Sequence, residues 1–479
     1  ATYWDRICER FVYDAELAGL YVRISWSETQ GIEVNLDGFD DKMPSLLQSV
    51  LEQLRLIADS TSVQAAAAQS LQSVLQYLAN ADAREPHAQA RSLRAAALLR
   101  PSARTQQRMQ AAQYLADLER HGRLDAMLQM RARDLCTRLR AKMLVVGNTS
   151  KEVAVRIADS VVQVLQPTSR VEHSLNLSRR VVDYAVDTQL RLPVPKSDEP
   201  NSCVIASFPV AHMCDYTEWA KWYLISTIAS EHAFDQLRTK ETLGYTVGAG
   251  LVRLHNRYFF QVYVQSNSKD AVYLDDRVEA WLLLFAQSLR LMSADDFAAH
   301  HLGAVTSALA RHTKLSDEAS TYWINIQRET YTFDRSRRMA HVLWHTVTQQ
   351  QVADAVRALV SDRADDDSTN NNKENNNRGR RRFAVLLQSQ VPAEQRALLA
   401  ADDADAADSM LPSCPQEAEE DKRHAEYHED RLHAHDNAAA PPTLPPVPPR
   451  AVSPRLLTSA PQLDAWQAAQ PLAPAAPTH

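Results

Sequence analysis

The sequence predicts an α+β protein built from two successive units of similar layout, each a mostly antiparallel sheet covered by helices. Three observations point there. Short runs of alternating apolar and polar residues occur in both halves, the period of a half-buried strand. Long stretches between them carry apolar residues at helical spacing. The same order of elements then recurs downstream, as in a duplicated architecture.

The first segment, Ala1 to Leu20, reads as a helix in progress with no signal peptide before it, so a natural start upstream is expected. Leu20 to Trp26 (LYVRISW) and Gly31 to Leu36 (GIEVNL) alternate as two strands joined by a polar turn. After the loop Asp37 to Lys42, a helix places Leu46, Leu47, Val50, Leu51 and Leu54 on one face, with Ser45 in position to cap it. Residues 60 to 140, rich in Ala, Leu, Gln and Arg, read as helices broken near Glu85-Pro86-His87 and at Pro101. Ala141 to Val146 is expected as a short buried strand, and Ser150 caps a helix reaching about Leu165.

A boundary is expected at about residue 170, and a strand near Val181 to Val186 is expected to open the second unit. Cys203 to Val210 follows as a strand, then a long helix from Tyr216 to Arg238. Strands are expected at Tyr245 to Leu254 and Tyr258 to Gln265, and a helix at Val272 to Met292. Further helices are expected over 294 to 312, 316 to 330 and 335 to 361, and a last strand over Arg382 to Gln388. Asp365 to Arg381 (DDDSTNNNKENNNRGRR) is low in complexity and highly polar, which marks a flexible insertion. Residues 396–479 read as a largely disordered, Ala/Pro-rich tail. The units are thus 1–170 and 171–395.

Bulk composition excludes several classes. With 479 residues, 45% hydrophobic and 23% charged, the chain can bury sizeable cores. A net charge of −7 argues against a nucleic-acid binder. No apolar run approaches the roughly 20 residues a bilayer span needs. The five cysteines are scattered, with no CxxC pair, so free thiols in a reducing, cytoplasmic compartment are expected.

The chemistry-bearing segment is Arg238-Thr239-Lys240-Glu241-Thr242-Leu243-Gly244-Tyr245. It places an Arg at an expected helix end and a Tyr at an expected strand start. A guanidinium offers forked donors and permanent charge, and a phenol donates one hydrogen bond to an oxygen gaining charge. Together they can grip a peptide during bond cleavage, but neither activates water. Alone, each is also an ordinary helix-end cation or strand aromatic.

Several stretches, in order and over about residues 1 to 390, resemble the insulysin branch of the M16 (pitrilysin, inverzincin) metalloendopeptidases. They include Asp14 to Leu20, Gly38 to Pro44, Gly147 to Lys151, Phe234 to Tyr245 (FDQLRTKETLGY), Asp276 to Ala280, Lys314 to Ser316, Tyr322-Trp323 and Tyr331 to Arg335. The resemblance implies the third (middle) and fourth (C-terminal) domains of a four-domain zinc metalloendopeptidase whose halves enclose small peptides in a chamber. It implies the metalloenzyme LuxS/MPP-like α/β sandwich for each unit. It also implies roles for two residues: Arg238 anchors substrate and Tyr245 holds the scissile carbonyl. Zinc and the water-activating Glu of H-x-x-E-H belong to the N-terminal half of such enzymes. Neither H-x-x-E-H nor H-E-x-x-H occurs here; the closest approach is Ile228-Ala229-Ser230-Glu231-His232. The chain alone is therefore expected to bind no catalytic zinc and to be inactive. Its expected partners are the N-terminal half, peptide substrates and, as for some relatives, a second copy of itself, with no nucleic acid and no membrane. A catalytically inactive M16-fold structural or substrate-binding subunit is the alternative.

Three further features each have a plainer and a sharper account. Arg311, His312 and Lys314 form a thin basic cluster where some relatives bind anions, and a solvated helix end is the plainer account. His424, His428, His433 and His435 lie in a polar tail unable to fix coordination geometry. Tyr258, Phe259, Phe260 and Tyr263 suit core packing or, more sharply, a chamber wall meeting apolar peptide side chains.

Overall fold

The computed structural model describes residues 2–27, 31–59, 64–79, 84–99, 108–170, 181–184, 187–360, 381–396, 455–459, 462, 465–466 and 469. The insertion expected at 365–381 falls outside these residues except at Arg381. The four tail histidines lie wholly outside them.

The first unit begins with α1 (Thr2–Leu17), which packs on an antiparallel hairpin of β1 (Leu20–Ser27) and β2 (Gly31–Gly38). A 3-10 turn at Asp40–Lys42 leads into α2 (Met43–Asp59). The expected apolar face is buried, with Ile57 added to it. Ser45 does not cap this helix: Met43 and Pro44 already lie within it, Pro suiting a first turn where its missing N–H costs nothing. Helices α3 (Gln64–Ala79), α4 (Pro86–Leu98), α5 (Arg108–Arg120) and α6 (Leu124–Thr137) follow. Ala141 to Val146 forms no strand. Only β3 (Arg138–Leu139) pairs, in parallel, with β4 (Ser169–Arg170), on either side of α7 (Lys151–Leu165). Ser150 caps α7, accepting from the Val153 N–H at 3.4 Å.

The second unit is organised on one six-stranded sheet, in the order β10-β5-β9-β6-β8-β7. Its strands are β5 (Thr188–Pro193), β6 (Ser202–His212), β7 (Val247–Leu254), β8 (Arg257–Ser266), β9 (Phe383–Gln388) and β10 (Arg455–Leu457). The β6, β7, β8 and β9 pairings are antiparallel, whereas β5 runs parallel to both β9 and β10. The strand expected near Val181 to Val186 therefore begins later, at Thr188. Val181 and Val182 are buried in the core, but their backbones pair only in isolation, with Leu99 and the Leu98 carbonyl. Pro209 sits where the β6–β8 register shifts, a place where a missing N–H is tolerated.

One face of the sheet carries α8 (Tyr216–Ala233) and α9 (Ala271–Leu291), with α12 (Arg335–Thr346) and α13 (Gln349–Val360) packed onto these helices; Val204, Phe208, Phe260, Val262, Trp281 and Phe285 lie in the core. Helices α10 (Ala294–Ala308) and α11 (Leu315–Gln327) complete the unit. The helix expected over 335–361 is two helices. Thr348 starts the second: its hydroxyl accepts from the Gln351 N–H, while Gln351 accepts from the Thr348 N–H, a capping box.

The opposite face is covered from an unexpected source. Helix α4, on the far side of the expected boundary, packs against β6, β8 and β9. Arg94 hydrogen-bonds the Gln261 side chain, and the His87 N–H donates to Gln265 at 2.9 Å. The tail contributes too. β10 closes the sheet edge, and Trp466 is fully buried against Tyr184 and Phe383. Part of the segment expected to be disordered is thus a strand and a core anchor. The physical reason is that Leu457 and Trp466 bury apolar surface in a hollow between α4 and the sheet.

Candidate functional site

Helix α8 starts at Asp215, whose carboxylate accepts from the Glu218 N–H at 3.0 Å. Its α-helical path does not reach Arg238 as expected. From Phe234 to Lys240 the backbone widens into a π-helical turn, a form concentrated at functional sites. The widening shows in the i→i−5 bond from the Glu241 N–H to the Gln236 carbonyl, 3.0 Å. Gln236 and Leu237 point into the core, while Phe234, Asp235, Thr239 and Lys240 face solvent. Lys240 spans the turn to Asp235 at 2.7 Å.

Beyond it the chain reverses sharply. Thr242 is left-handed at φ 48°, and the Leu243 N–H reaches back to the Leu237 carbonyl at 3.1 Å. Gly244 presses against β8 so closely that a Cβ there would sit 2.0 Å from the Gln265 carbonyl oxygen. Tyr245 follows outside the sheet, since β7 begins only at Val247. It is 81% exposed, an unusual state for a Tyr flanked by core elements.

The reversal brings Arg238 and Tyr245 together. The guanidinium carbon of Arg238 lies 4.2 Å from the Tyr245 ring centroid and 4.6 Å from that of Phe234. The cation is held between two aromatic faces, each contact worth about 0.5–1 kcal/mol at an exposed site. The guanidinium N–H groups have no hydrogen-bond or ion-pair partner among the described residues. The Tyr245 hydroxyl likewise has none. A cationic fork and a phenolic donor thus stand side by side on the surface, a pair able to bind an extended peptide backbone.

Residues to which the sequence reading gave no role support this pair. The Glu241 carboxylate accepts from Gln236 Nε2 at 2.9 Å and from Arg277 Nε of α9 at 2.8 Å. Their stretches belong to the motifs that carried the resemblance, but nothing in the spacing links Glu241 to Arg277.

The other candidates do not join the site. Arg311 and Lys314 are exposed between α10 and α11, and neither side chain has a partner among the described residues. Tyr258, Phe259 and Phe260 are buried on both faces of β8, and Tyr263 stacks on His87 at 4.6 Å, so this strand is core rather than chamber wall. Trp219 stacks on Tyr258 at 5.6 Å, beneath Arg335, and Tyr322 donates to Glu318 at 2.8 Å; both are packing residues. An open cleft of about 530 Å³ between Arg140, Lys142, Thr168 and Tyr331 shares no residue with the pair. Glu329 engages both of its cations.

Zinc does not fit here. Among the described residues no three His, Cys, Asp or Glu side chains are placed to hold a metal ion. His232, from the nearest sequence approach to a zinc motif, accepts the Trp281 indole N–H at Nδ1 (3.0 Å) and packs against Phe285. Burial there holds its pKa below the usual imidazole value.

Comparison with known proteins gives a consistent picture. Residues 3–111 match the model for the middle or third domain of peptidase M16. Residues 224–323 match the model for the C-terminal lobe domain 4 of PQQ synthase PqqF-like proteins. The chain is 28% identical over 354 residues to the insulin-degrading enzyme of Homo sapiens, covering 71% of this chain and 32% of that protein. It is 26% identical over 349 residues to the peroxisomal insulin-degrading enzyme-like 1 of Arabidopsis thaliana, covering 71% and 35%. It thus spans about a third of the length of these curated relatives. In fold it is similar to pitrilysin, at TM-score 0.66 and 17% identity, over 97% of this chain and 40% of that one. It is also similar to a peptidase M16 inactive domain from Pseudomonas fluorescens, at TM-score 0.51 and 13% identity, over 80% and 83%.

Proposed function

We propose, from the premise that this chain belongs to the M16 peptidase family as the C-terminal half of an insulin-degrading-enzyme-like member, that it is the substrate-enclosing half of a zinc metalloendopeptidase. The substrates are small peptides held in a closed chamber. Zinc and the water-activating Glu lie in the N-terminal M16 half, on the same longer chain or a separate subunit, and no residue of this chain performs a step on the metal. The compartment is cytoplasmic. The observation that carries the reading is the stack of half-buried Arg238 on exposed Tyr245 at the π-helical turn.

In this reading Arg238 binds a peptide carbonyl or carboxylate with its free N–H groups. Tyr245 donates its phenolic proton in a hydrogen bond to the scissile carbonyl oxygen as that oxygen gains negative charge. The second interaction strengthens between ground and transition state, so it acts on turnover. In the intact protein, Tyr245→Phe is expected to lower kcat by about a hundredfold, the scale of losing one oxyanion donor, with KM little changed. Arg238→Ala is expected to weaken both terms. Unchanged turnover in the Tyr245 variant would remove its assigned role, and normal kinetics after loss of Arg238 would remove the clamp.

A second reading is supported by the solved inactive domain of similar fold. Here the chain is a scaffold or substrate-binding subunit with no hydrolytic partner. Isolation of the native protein separates the two. One zinc on a longer chain or a tightly held partner supports the protease; an unaccompanied, zinc-free species of this size supports the scaffold.

A further inference from the structure

Arg238 and Tyr245 meet only because the chain between them follows one narrow path, and the side chain that pins that path is Glu241. It is the first residue beyond the π-helical turn, its side chain is 14% exposed, and each carboxylate oxygen has its own donor. Oε1 accepts from Gln236, inside the turn, and Oε2 accepts from Arg277, one helix away on α9. Its backbone N–H closes the turn onto the Gln236 carbonyl. Gln236 and Glu241 are thus tied twice, through backbone and through side chain, across the four residues between them, Arg238 among them. Arg277 is only 20% exposed and fixes the assembly to a helix whose Val278, Trp281 and Leu282 are core residues. On the Tyr245 side, Thr242 is left-handed and Gly244 touches the β8 backbone, so little slack remains between Glu241 and the phenol.

We infer that Glu241, held by Arg277 and Gln236, is the positioning residue of the Arg238–Tyr245 pair: its carboxylate locks the π-helical turn so that guanidinium and phenol are presented together to a peptide. The inference rests on the proposed role of that pair. Glu241 touches no substrate and acts through Tyr245 and Arg238. A low-exposure carboxylate with a donor on each oxygen, one of them from a rigid helix, holds geometry that an exposed ion pair such as Lys240–Asp235 does not, because water competes less for its bonds.

The test is a kinetic double-mutant cycle in the intact protein, with Glu241→Gln, Tyr245→Phe and the pair. Gln is isosteric and keeps a contact to Gln236 but gives up the ion pair with Arg277. Glu241→Gln is expected to lower kcat about tenfold to a hundredfold, the scale set by misplacing a reacting group by an ångström, with a much smaller change in KM. In the Tyr245→Phe background the same change is expected to cost kcat far less, because the phenol it positions is gone and only its hold on Arg238 remains. Losses that multiply in the double variant, or a lower melting temperature with unchanged kcat, overturn the inference and leave Glu241 a structural residue. Should Tyr245→Phe alone have no effect, the reading of the site fails and the inference falls with it. Should Tyr245→Phe slow turnover while Glu241→Gln does not, only the inference fails. Arg277→Lys probes the bridge from the α9 side if the Glu241 variant does not fold. It keeps the charge but shifts the donor, and the same dependence on Tyr245 is expected.

Discussion

At the scale of single residues, the site depends on which polar groups are satisfied and which are left free. Half-buried Arg238 and exposed Tyr245 keep unused donors, whereas Gln236 and Arg277 each donate to the Glu241 carboxylate. His232 shows the same economy inside the protein. As a neutral acceptor for the Trp281 N–H, half-buried beside Phe285, it is held by burial below its ordinary pKa of 6.5. The unfolded chain takes up a proton as pH falls through 6.5, while the folded chain resists it until lower pH, so this residue withdraws stability as pH drops below 6.5. His232→Gln keeps an acceptor and removes the titration. Its unfolding midpoint should fall less than that of the parent when pH is lowered from about 8 to 5, and parallel profiles would exclude the role. The sequence alone exposes Arg238 and Tyr245 because the surrounding motif names them. It is silent on the Glu241–Arg277 bridge because that depends on a turn of non-standard pitch joining residues 36 apart.

At the scale of elements, local pattern and long-range pairing part company. β1, β2, β6, β8 and β9 are legible because alternation and turn residues are local signals. Ala141 to Val146 has strand composition but no partner strand among the described residues, and without a ladder its backbone stays irregular. The π-helical turn hides because apolar residues in FDQLRTK continue a helical pattern by eye; only the backbone bonding reveals the extra residue. The break between α12 and α13 was readable from Thr348 and Gln351 as a capping box. The sharp reversal at Gly244 carries its own prediction. Gly244→Ala must push the β7 approach off the Gln265 carbonyl, a clash worth about 1–3 kcal/mol of stability in urea unfolding. Because the displacement falls next to Tyr245, peptide turnover in the intact protein should drop as well. An unaltered midpoint would mean that the turn has room to shift.

At the scale of the whole molecule, the second sheet is a shared structure rather than the property of one stretch of chain. Helices α8 and α9, with α12 and α13 packed onto them, roof one face, while α4 from the earlier half and Trp466 from the tail floor the other. Trp466→Ala should therefore cost about 3–5 kcal/mol, as for other large core truncations. Trp466→Phe should cost less than about 1.5 kcal/mol, since the buried indole N–H has no partner among the described residues to lose. Equal effects of the two changes in chemical denaturation would mean that the indole N–H, not the ring volume, matters. The floor was illegible from composition because its pieces sit in Ala-rich and Ala/Pro-rich stretches whose burial is decided only by distant strands.

The pairing of β10 with β5 also sets a timetable. Thr188 finds its partner only when Arg455 has left the ribosome. At ordinary rates of synthesis that interval is roughly ten seconds to a minute. Throughout it, β5 is held on one side by nothing until β9 arrives, and its other edge keeps unpaired amide and carbonyl groups facing water, a template for any extended chain nearby. During that interval the newborn protein is open to capture by chaperones, or by its own neighbours on a polysome, along the edge that β10 is destined to fill.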